Sequence, residues 1–205
     1  FKNYKRIGTT LDDALGEAFD KTARLLNLGY PGGPLIEKCA TEGNQDKYKF
    51  PMPLINEKSS NFSFSGLKSS VAQTVLNKKI TAKFKCDVSA SFQKTIAEIL
   101  LNKTRRSIKT FNKQTKNNKT VSIVVAGGVA ANKFIRSSLE ILEKEIDCKL
   151  YFPSLKLCTD NGAMIAYAGI ERYERSLFDK LNFKPKPRWP LDKKAIFMKG
   201  KRINV

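Results

Sequence analysis

The chain has 205 residues, is 41% hydrophobic and carries a formal net charge of +19 at pH 7. Its length suffices for one sizeable core or two small ones. No apolar run is long enough to span a membrane, so a soluble cytoplasmic protein with no membrane partner is expected, or a mitochondrial one in a eukaryote. The chain has no histidine, which excludes a self-contained Ser-His or Cys-His hydrolase within these residues. The positive charge favours a polyanionic partner such as RNA, although a lysine-rich composition bias explains it equally well.

The first predicted helix lies within Leu11–Pro34, which combines acidic residues with a glycine-proline loop. Thr9 or Thr10 is expected to cap this helix, with Asp12 or Asp13 three residues further on, as in a capping box. One apolar stripe at helical spacing is expected to be buried. It consists of Leu15, Ala18, Phe19, Thr22, Ala23 and Leu26.

The same segment contains a candidate ligand site. The helix is predicted to stop at residues 27–29, because the Tyr-Pro-Gly-Gly-Pro run at 30–34 is not expected to be helical. Glu17 and Asp20 share one helical face, and two acceptor-only carboxylates suit the vicinal hydroxyls of a ribose. The double glycine that contains Gly33 would let backbone approach a flat ligand. The alternative is an ordinary surface helix with solvated charges.

The middle of the chain is predicted to be mostly helical. A short helix is expected at Leu35–Ala40, and after a polar loop an extended segment at 61–65 leads into another helix. Asp87 is predicted to cap a long helix that reaches about Gln114. Five cations along this helix form a basic stripe, which either tracks a phosphate backbone or is simply a solvated face. The stripe consists of Lys103, Arg106, Lys109, Lys113 and Lys116.

The last third of the chain alternates strands and helices. This order predicts an α/β layer with a parallel strand pair. The strands are expected at Val121–Val125 and Lys149–Phe152, and the helices at Ala130–Ile146 and Gly162–Ser176. The predicted organisation is therefore a mostly helical insertion over residues 9–119, the α/β layer over 120–180 and an extended basic tail over 181–205.

Two turns in the α/β layer are candidate binding sites. The Gly127-Gly128 turn joins a strand to a helix N-terminus, where free N–H groups and the helix dipole favour an anion or nucleotide. Asn132 can offer both a donor and an acceptor to a base or an acyl group. Asp160 opens a helix, and it is either a metal ligand or a plain N-cap. The alternative for the double glycine is a tight turn only.

Five segments of the chain together resemble one known family. They are GTTLDDALGEAFDKTARLLNLGYPGGP (Gly8–Pro34), NFSFSGLK (Asn61–Lys68), VVAGGVAAN (Val124–Asn132), YFPSLKLCTDNGAMIAYAG (Tyr151–Gly169) and RWPLD (Arg188–Asp192). In this order they are similar to the universal tRNA threonylcarbamoyladenosine synthases, formerly described as O-sialoglycoprotein endopeptidases.

The resemblance implies an actin-like (ASKHA) fold of two ribonuclease-H-like halves, of which this chain would be the second, with a helical insertion. The family's N-terminal half carries a metal-binding HxxxH pair and an SGGH turn, and neither motif occurs here. The chain is therefore expected to be the C-terminal portion of a longer enzyme, without the N-terminal half, and to be inactive alone. Asp160 matches the family's metal-binding aspartate, and the divalent metal would be iron or zinc.

The resemblance also implies a reaction and its partners. An acyltransferase would move the threonylcarbamoyl group from threonylcarbamoyl-AMP to N6 of the adenosine next to the tRNA anticodon, with TsaB- and TsaE-like helper proteins. Two other interpretations stay open, a metal-dependent glycopeptidase and a non-catalytic actin-like partner that binds nucleotide. The implied nucleotide- and substrate-binding residues are Asp20, Gly33 and Asn132, with Glu17, Gly127 and Gly128 beside them.

Overall fold

The computed structural model describes residues 4–115, 119–185 and 189–195 of the chain. Within these ranges the fold is α/β, as expected, and its six α-helices accompany a single two-stranded sheet. None of the described helices is both long and apolar enough to cross a membrane. In chain order the elements are α1 (Leu15–Leu25), α2 (Gly32–Ala40), α3 (Ser65–Val75), α4 (Ala82–Thr115), β1 (Val121–Val124), the 3-10 helix η1 (Gly128–Ala131), α5 (Lys133–Glu145), β2 (Cys148–Tyr151), the 3-10 helix η2 (Leu155–Leu157) and α6 (Gly162–Tyr173).

Helix α4 is the central element of the core. It packs against α2 and α5, while α1 packs against α2 and α3. The apolar stripe predicted for α1 is buried, and it meets the buried side of α4 where the rings of Phe19 and Phe92 lie edge to face with centroids 5.2 Å apart. Leu15 is only partly buried, so the stripe weakens toward the N-terminal end of α1.

The predicted parallel strand pair is confirmed. Strand β1 pairs with β2 in parallel from Val121 opposite Cys148 to Val124 opposite Tyr151. Helix α5 covers this pair with an apolar side that is buried at Ile135, Leu139 and Leu142. It begins three residues later than expected, because η1 (Gly128–Ala131) and the N-cap Asn132 precede it.

The predicted cap of α1 is wrong. The N-cap residue is Ala14, which makes no side-chain capping bond, and the Thr10 hydroxyl donates to the backbone of Asp13. Asp12 instead stabilises the start of α3, where its carboxylate accepts hydrogen bonds from the amides of Phe64 and Ser65 and from the hydroxyls of Ser63 and Ser65. The extended segment around Phe62 forms a single parallel bridge with Thr10, which brings Asp12 within reach.

Helix α2 also begins earlier than expected. Its first three residues are Gly32, Gly33 and Pro34, which were expected to be non-helical. Proline is tolerated there because the first amides of a helix have no intrahelical acceptor and the fixed φ of proline suits the first turn. The double glycine is therefore the first turn of a helix and not a loop.

The predicted cap of α4 is wrong as well. The helix begins at Ala82, and the hydroxyl of Thr81 accepts a hydrogen bond from the amide of Phe84. Asp87 lies inside the helix, where its carboxylate accepts from the amide of Asn44 at 2.7 Å and pairs with Lys83 at 2.9 Å. The Asn44 amide and the Lys83 ammonium hold the pKa of Asp87 below its usual range.

The basic stripe on α4 is not a continuous solvated face. Lys103 is fully buried, and its ammonium donates to the carbonyl oxygens of Leu54 at 2.6 Å and Ser59 at 2.9 Å. Arg106 donates to the carbonyl oxygen of Ile55 at 2.6 Å. These two cations hold the loop before α3 against α4. Two other members, Lys109 and Lys113, are exposed, and Lys116 lies outside the described residues.

Helix α6 lies apart from the core. None of its residues is buried. Its exposed large side chains include Met164, Ile165, Tyr167, Ile170 and Tyr173. Within the described part of the tail, the carboxylate of Asp192 accepts a hydrogen bond from the amide of Arg6 at 2.9 Å. The predicted division of the chain near residues 120 and 180 stays a prediction.

Replacing Asp12 tests its role at the start of α3. Burial alone would raise the pKa of this carboxyl, but the hydrogen bonds from Ser63, Phe64 and Ser65 outweigh burial and hold it below the usual value. We expect Asp12→Ala to lower the free energy of unfolding by about 1–2 kcal/mol, as for a lost helix cap. Urea unfolding measures this loss. Asp46→Ala is the control, because Asp46 makes an exposed ion pair with Lys94 that contributes about 0–1 kcal/mol.

The same carboxylate makes stability depend on pH. Because its folded-state pKa is lowered, its contribution is complete above the unfolded-state pKa and is lost as the pH falls through the folded-state pKa. Asp12→Asn should therefore flatten the acid side of the stability profile. The assignment would be contradicted if Asp12→Asn lost stability in acid in the same way as wild type. It would also be contradicted if Asp12→Ala and Asp46→Ala lowered the free energy of unfolding equally.

Candidate functional site

A cavity of about 360 Å³ lies between α1, the start of α2 and η1. Four of the seven residues predicted from the sequence as site residues line it. They are Asp20, Gly33, Gly128 and Asn132. The structure therefore brings together segments that are separated by about half of the chain, and it does so around one cavity that is open to solvent.

Asp20 is fixed at the wall of this cavity by the start of α2. Its Oδ1 accepts a hydrogen bond from the amide of Gly32 at 2.7 Å. Glu17 is not among the lining residues. Its carboxylate pairs with Lys21 at 2.5 Å, and Lys21 also binds Asp13 at 2.7 Å. The two acidic residues of α1 thus lie in different surroundings, and a ribose contact by Glu17 stays a prediction.

The two glycines at the start of α2 have different surroundings. A Cβ at Gly32 would lie 2.6 Å from Cα of Asp20 and 2.7 Å from the carbonyl oxygen of Phe19, so only glycine fits between the helices. A Cβ at Gly33 would meet no atom within 4 Å, and Gly33 lines the cavity. Gly32 therefore allows the close packing of α1 and α2, while Gly33 leaves the cavity open.

The Gly127-Gly128 turn supplies the opposite wall. Gly127 has a φ of 95°, a conformation that side-chain-bearing residues rarely adopt. The 3-10 helix η1 begins at Gly128, so its first amides have no acceptor within that helix and can donate to a ligand. The predicted helix N-terminus at this turn is therefore a 3-10 turn, and the N-terminus of α5 follows it.

Asn132 lies at the junction of η1 and α5 and is buried. Its Oδ1 accepts from the amide of Ile135 at 2.9 Å, which caps α5, and its Nδ2 donates to Oε1 of Gln93 on α4 at 2.8 Å. The side chain thus accepts one hydrogen bond and donates one within the protein. The remaining amide hydrogen and oxygen lone pair are what this residue can offer a ligand in the cavity.

The interpretation of the sequence missed Glu37. This residue lines the cavity from α2, and its Oε1 accepts a hydrogen bond from the amide of Lys133 at the start of α5 at 2.6 Å. Glu37 lies one helical turn after Gly33, so the two share a face of α2. That spacing was available in the sequence, but the helix was expected to begin only at Leu35, which hid the relation.

Arg136 holds η1 in place from behind. Its guanidinium donates to the carbonyl oxygens of Ala130 and Pro153, the latter at 2.8 Å, and it lies over the ring of Phe152, 5.0 Å from the centroid. One side chain thus connects the turn after β1 to the segment after β2. The cavity wall at η1 is positioned by this contact as well as by Asn132.

Asp160 is exposed and lies next to Thr159, which lines the cavity. It is not a helix cap, because the N-cap of α6 is Asn161, whose Oδ1 accepts from the amide of Met164 at 3.0 Å. The alternative interpretation of Asp160 as a plain N-cap is therefore wrong. Over the ranges that the structure describes, no three His, Cys, Asp or Glu residues come together to hold a metal ion. These residues alone do not make a metal site.

The cavity combines apolar walls with a few polar groups. Phe19, Pro31 and Val129 offer apolar surface, while Asp20 and Glu37 offer carboxylate oxygens as acceptors. Such a space suits a flat ring that carries hydroxyl or amine donors. The lining also includes Thr159, which offers one hydroxyl group. Acceptor groups and apolar surface of this kind can position bound reactants.

The paired glycines make a direct test of this geometry. We expect Gly32→Ala to lower the free energy of unfolding by about 1–3 kcal/mol, because its methyl group would overlap backbone of α1. Gly33→Ala should leave stability unchanged or raise it by up to about 1 kcal/mol, since alanine is the better helix former and the space is open. Thermal unfolding of both variants measures the difference, and equal melting temperatures would contradict the assigned packing.

Comparison with known proteins identifies the family. Residues 2–167 match the family described as TsaD, tRNA N6-adenosine threonylcarbamoyltransferase. A protein of this name from Rickettsia massiliae is 52% identical over 190 residues, which are 92% of this chain and 55% of the relative. Relatives of the same name from Pelagibacter ubique and Brucella suis are 49% and 48% identical, over 99% and 98% of this chain and 56% of each relative.

The chain spans about half the length of the curated relatives that it matches. The matched range covers the α1–α2 segment, the Gly127-Gly128 turn and Asp160, so it includes every residue that was proposed as a site residue from the sequence. The chain belongs to the tRNA N6-adenosine threonylcarbamoyltransferase family.

Proposed function

We propose that the protein of which this chain is part transfers the threonylcarbamoyl group from threonylcarbamoyl-AMP to N6 of the adenosine next to the tRNA anticodon. The observation that carries the proposal is the cavity that collects Asp20, Gly33, Gly128 and Asn132 from two of the segments that resemble the family. The names of the relatives support the reaction. We also propose that the chain forms the second half of an actin-like (ASKHA) fold.

The side chains of the cavity bind and orient the adenylate. The carboxylates of Asp20 and Glu37 accept hydrogen bonds from the ribose hydroxyls, and the first amides of η1 donate to the phosphate. Phe19 and Pro31 cover a face of the adenine ring. The two carboxylates are already held by the amides of Gly32 and Lys133, so little ordering is required when the ligand binds.

The transfer itself requires no covalent enzyme intermediate. The N6 amine of the tRNA adenosine attacks the carbamoyl carbon, the new C–N bond forms, and the bond from that carbon to the phosphate oxygen of AMP breaks. One amine proton is released and AMP leaves. The contribution of the cavity is to hold the adenylate with its phosphate at η1 so that this carbon meets the incoming amine.

The charge of the chain supports tRNA as the second substrate. The formal net charge is +19, and exposed cations such as Lys109 and Lys113 can meet phosphate groups. We place the reaction in the cytoplasm because its substrate is tRNA. We also propose that TsaB- and TsaE-like proteins assist it. The proposal as a whole is tested by supplying the intact protein, together with its TsaB- and TsaE-like partners, with tRNA and threonylcarbamoyl-AMP, where failure to form modified adenosine would refute it.

Replacing the acceptors of the cavity tests adenylate binding. Asp20→Asn can still accept from the amide of Gly32 but loses its charge, and we expect it to weaken AMP binding about three- to tenfold, since one charged hydrogen bond is reduced to a neutral one. Glu37→Gln should have a similar effect. Isothermal calorimetry with AMP on the intact protein measures both.

Glu17→Gln is the matched control, because Glu17 lies on the same helix as Asp20 but does not line the cavity. Its AMP affinity should stay within about twofold of wild type. If Glu17→Gln loses as much AMP affinity as Asp20→Asn, then Glu17 and Asp20 bind the ribose together, as predicted from the sequence, and the assignment to the cavity is wrong. If neither variant changes the affinity, the cavity does not bind the adenylate.

We further propose that Asp160 is one ligand of the divalent metal, iron or zinc, that the family resemblance implies. Other ligands would have to come from outside the described residues, because the described residues contain no complete set. The metal would polarise the carbonyl oxygen of the adenylate. Asp160 fits such a role because it is exposed beside Thr159 at the cavity and caps no helix.

Asp160→Asn in the intact protein is expected to lower the metal content by at least about half while the melting temperature stays the same, because Asp160 is exposed and is not the N-cap of α6. Elemental analysis of the purified protein measures the metal. Asp179→Asn is the control, since Asp179 is an exposed aspartate paired with Arg172. Equal metal content in both variants would show that Asp160 is not a ligand.

A further inference from the structure

A second cavity lies on the other side of Asp20. It has a volume of about 320 Å³ and is lined by Asp20, Arg24, Asn27, Gly29 and Tyr30. Asp20 lines both cavities, so one carboxylate separates two neighbouring spaces. None of the other four residues of this second cavity was assigned a role above.

We propose that this second cavity binds one unpaired nucleotide of the tRNA anticodon loop, with the base stacked on the ring of Tyr30 and its phosphate near Arg24. This inference rests on the proposed function, which requires two nucleotides to meet. The adenylate and the adenosine that attacks it must come together, and a neighbouring space that shares a wall with the adenylate cavity suits the incoming RNA.

The side chains of the second cavity have the chemistry of single-stranded RNA recognition. The ring of Tyr30 is 81% exposed, which is high for a large aromatic side chain, and aromatic rings of this kind stack unpaired bases. Arg24 is exposed and offers a cation, and Asn27 offers an amide that can hydrogen-bond the edge of a base. The three lie at the end of α1 and in the turn that follows it.

The charges of this cavity favour one orientation of the nucleotide. Asp20 repels a phosphate, whereas Arg24 attracts one, and these residues lie one helical turn apart. The ammonium of Lys85 adds a second positive charge nearby, because it donates to the carbonyl oxygen of Asn27 at 3.0 Å. A nucleotide is thus expected to direct its base toward Asp20, whose carboxylate can accept from an exocyclic amine.

The turn that carries Tyr30 is held in a defined conformation. Asn27 and Gly29 both have positive φ, 50° and 109°, and Lys85 ties the turn to α4. On the other side, the amide of Gly32 is bound to Asp20. The exposed ring is therefore presented from a fixed backbone, which lowers the entropy cost of stacking a base on it.

The test compares tRNA binding by variants of the intact protein. Tyr30→Ala should weaken binding of a tRNA that reads ANN codons roughly tenfold, as for the loss of one base–aromatic stack. Tyr30→Phe keeps the ring and should bind within about twofold of wild type. Arg24→Ala should weaken binding and reduce the slope of log affinity against log salt concentration by about one. Phe111→Ala removes another exposed aromatic ring, at the far end of α4, and should change nothing.

A fluorescent base reports stacking directly. With 2-aminopurine placed in turn at each position of the anticodon loop, at least one position should be quenched by wild type and by Tyr30→Phe but not by Tyr30→Ala. AMP binding should be the same in all of these proteins, which separates this cavity from the adenylate cavity and from a loss of folding.

Three results would overturn the inference. If Tyr30→Ala binds tRNA as tightly as wild type and still quenches the fluorescent base, the ring stacks no base. If Tyr30→Ala no longer binds a helper protein but binds tRNA as before, the cavity is a protein docking site. In both cases the proposed function still stands, because the wild-type protein binds AMP and transfers the threonylcarbamoyl group. Failure of the wild-type protein itself to bind tRNA would refute the proposed function together with this inference.

Discussion

The close contact between α1 and the start of α2 determines the shape of the whole candidate site. It depends on Gly32, which has no space for a side chain against α1 and whose amide binds Asp20. This hydrogen bond places the Asp20 carboxylate between two cavities and at the same time orients the first turn of α2, so that Gly33 and Glu37 face the first of them. A single residue without a side chain thus sets the positions of three others.

Much of this arrangement follows from local sequence patterns. The buried stripe of α1, the long α4 and the parallel strand pair follow from the spacing of apolar residues, because burial selects that spacing wherever an element packs on a core. Asp20, Gly33, Gly128 and Asn132 were recognised from their residue types and from motif order, and the structure places them around one cavity. Their assigned roles remain proposals, since family order indicates where residues lie and not what they contact.

The two wrong helix caps share one physical cause, which is that polar side chains found partners far away in the sequence. Asp12 stabilises α3 and Asp87 binds Asn44, although both have the residue type and position of a local helix cap. Glu37 was missed because α2 was expected to begin only at Leu35, and its partner, the amide of Lys133, is 96 residues further along the chain. Local rules describe what a capping residue can do, whereas the tertiary structure decides which amide is close enough to be capped.

The burial of Lys103 limits how the charge of this chain acts at a distance. Its ammonium lies among backbone carbonyl oxygens in the interior, and Arg106 on the same helix face is also turned toward the loop. Only a cation that reaches the solvent can displace the counterions that surround a nucleic acid. The formal charge of +19 is therefore an upper limit on the charge with which the chain attracts a polyanion from a distance. Some of its lysine and arginine side chains stabilise the fold instead, through hydrogen bonds to backbone carbonyl oxygens.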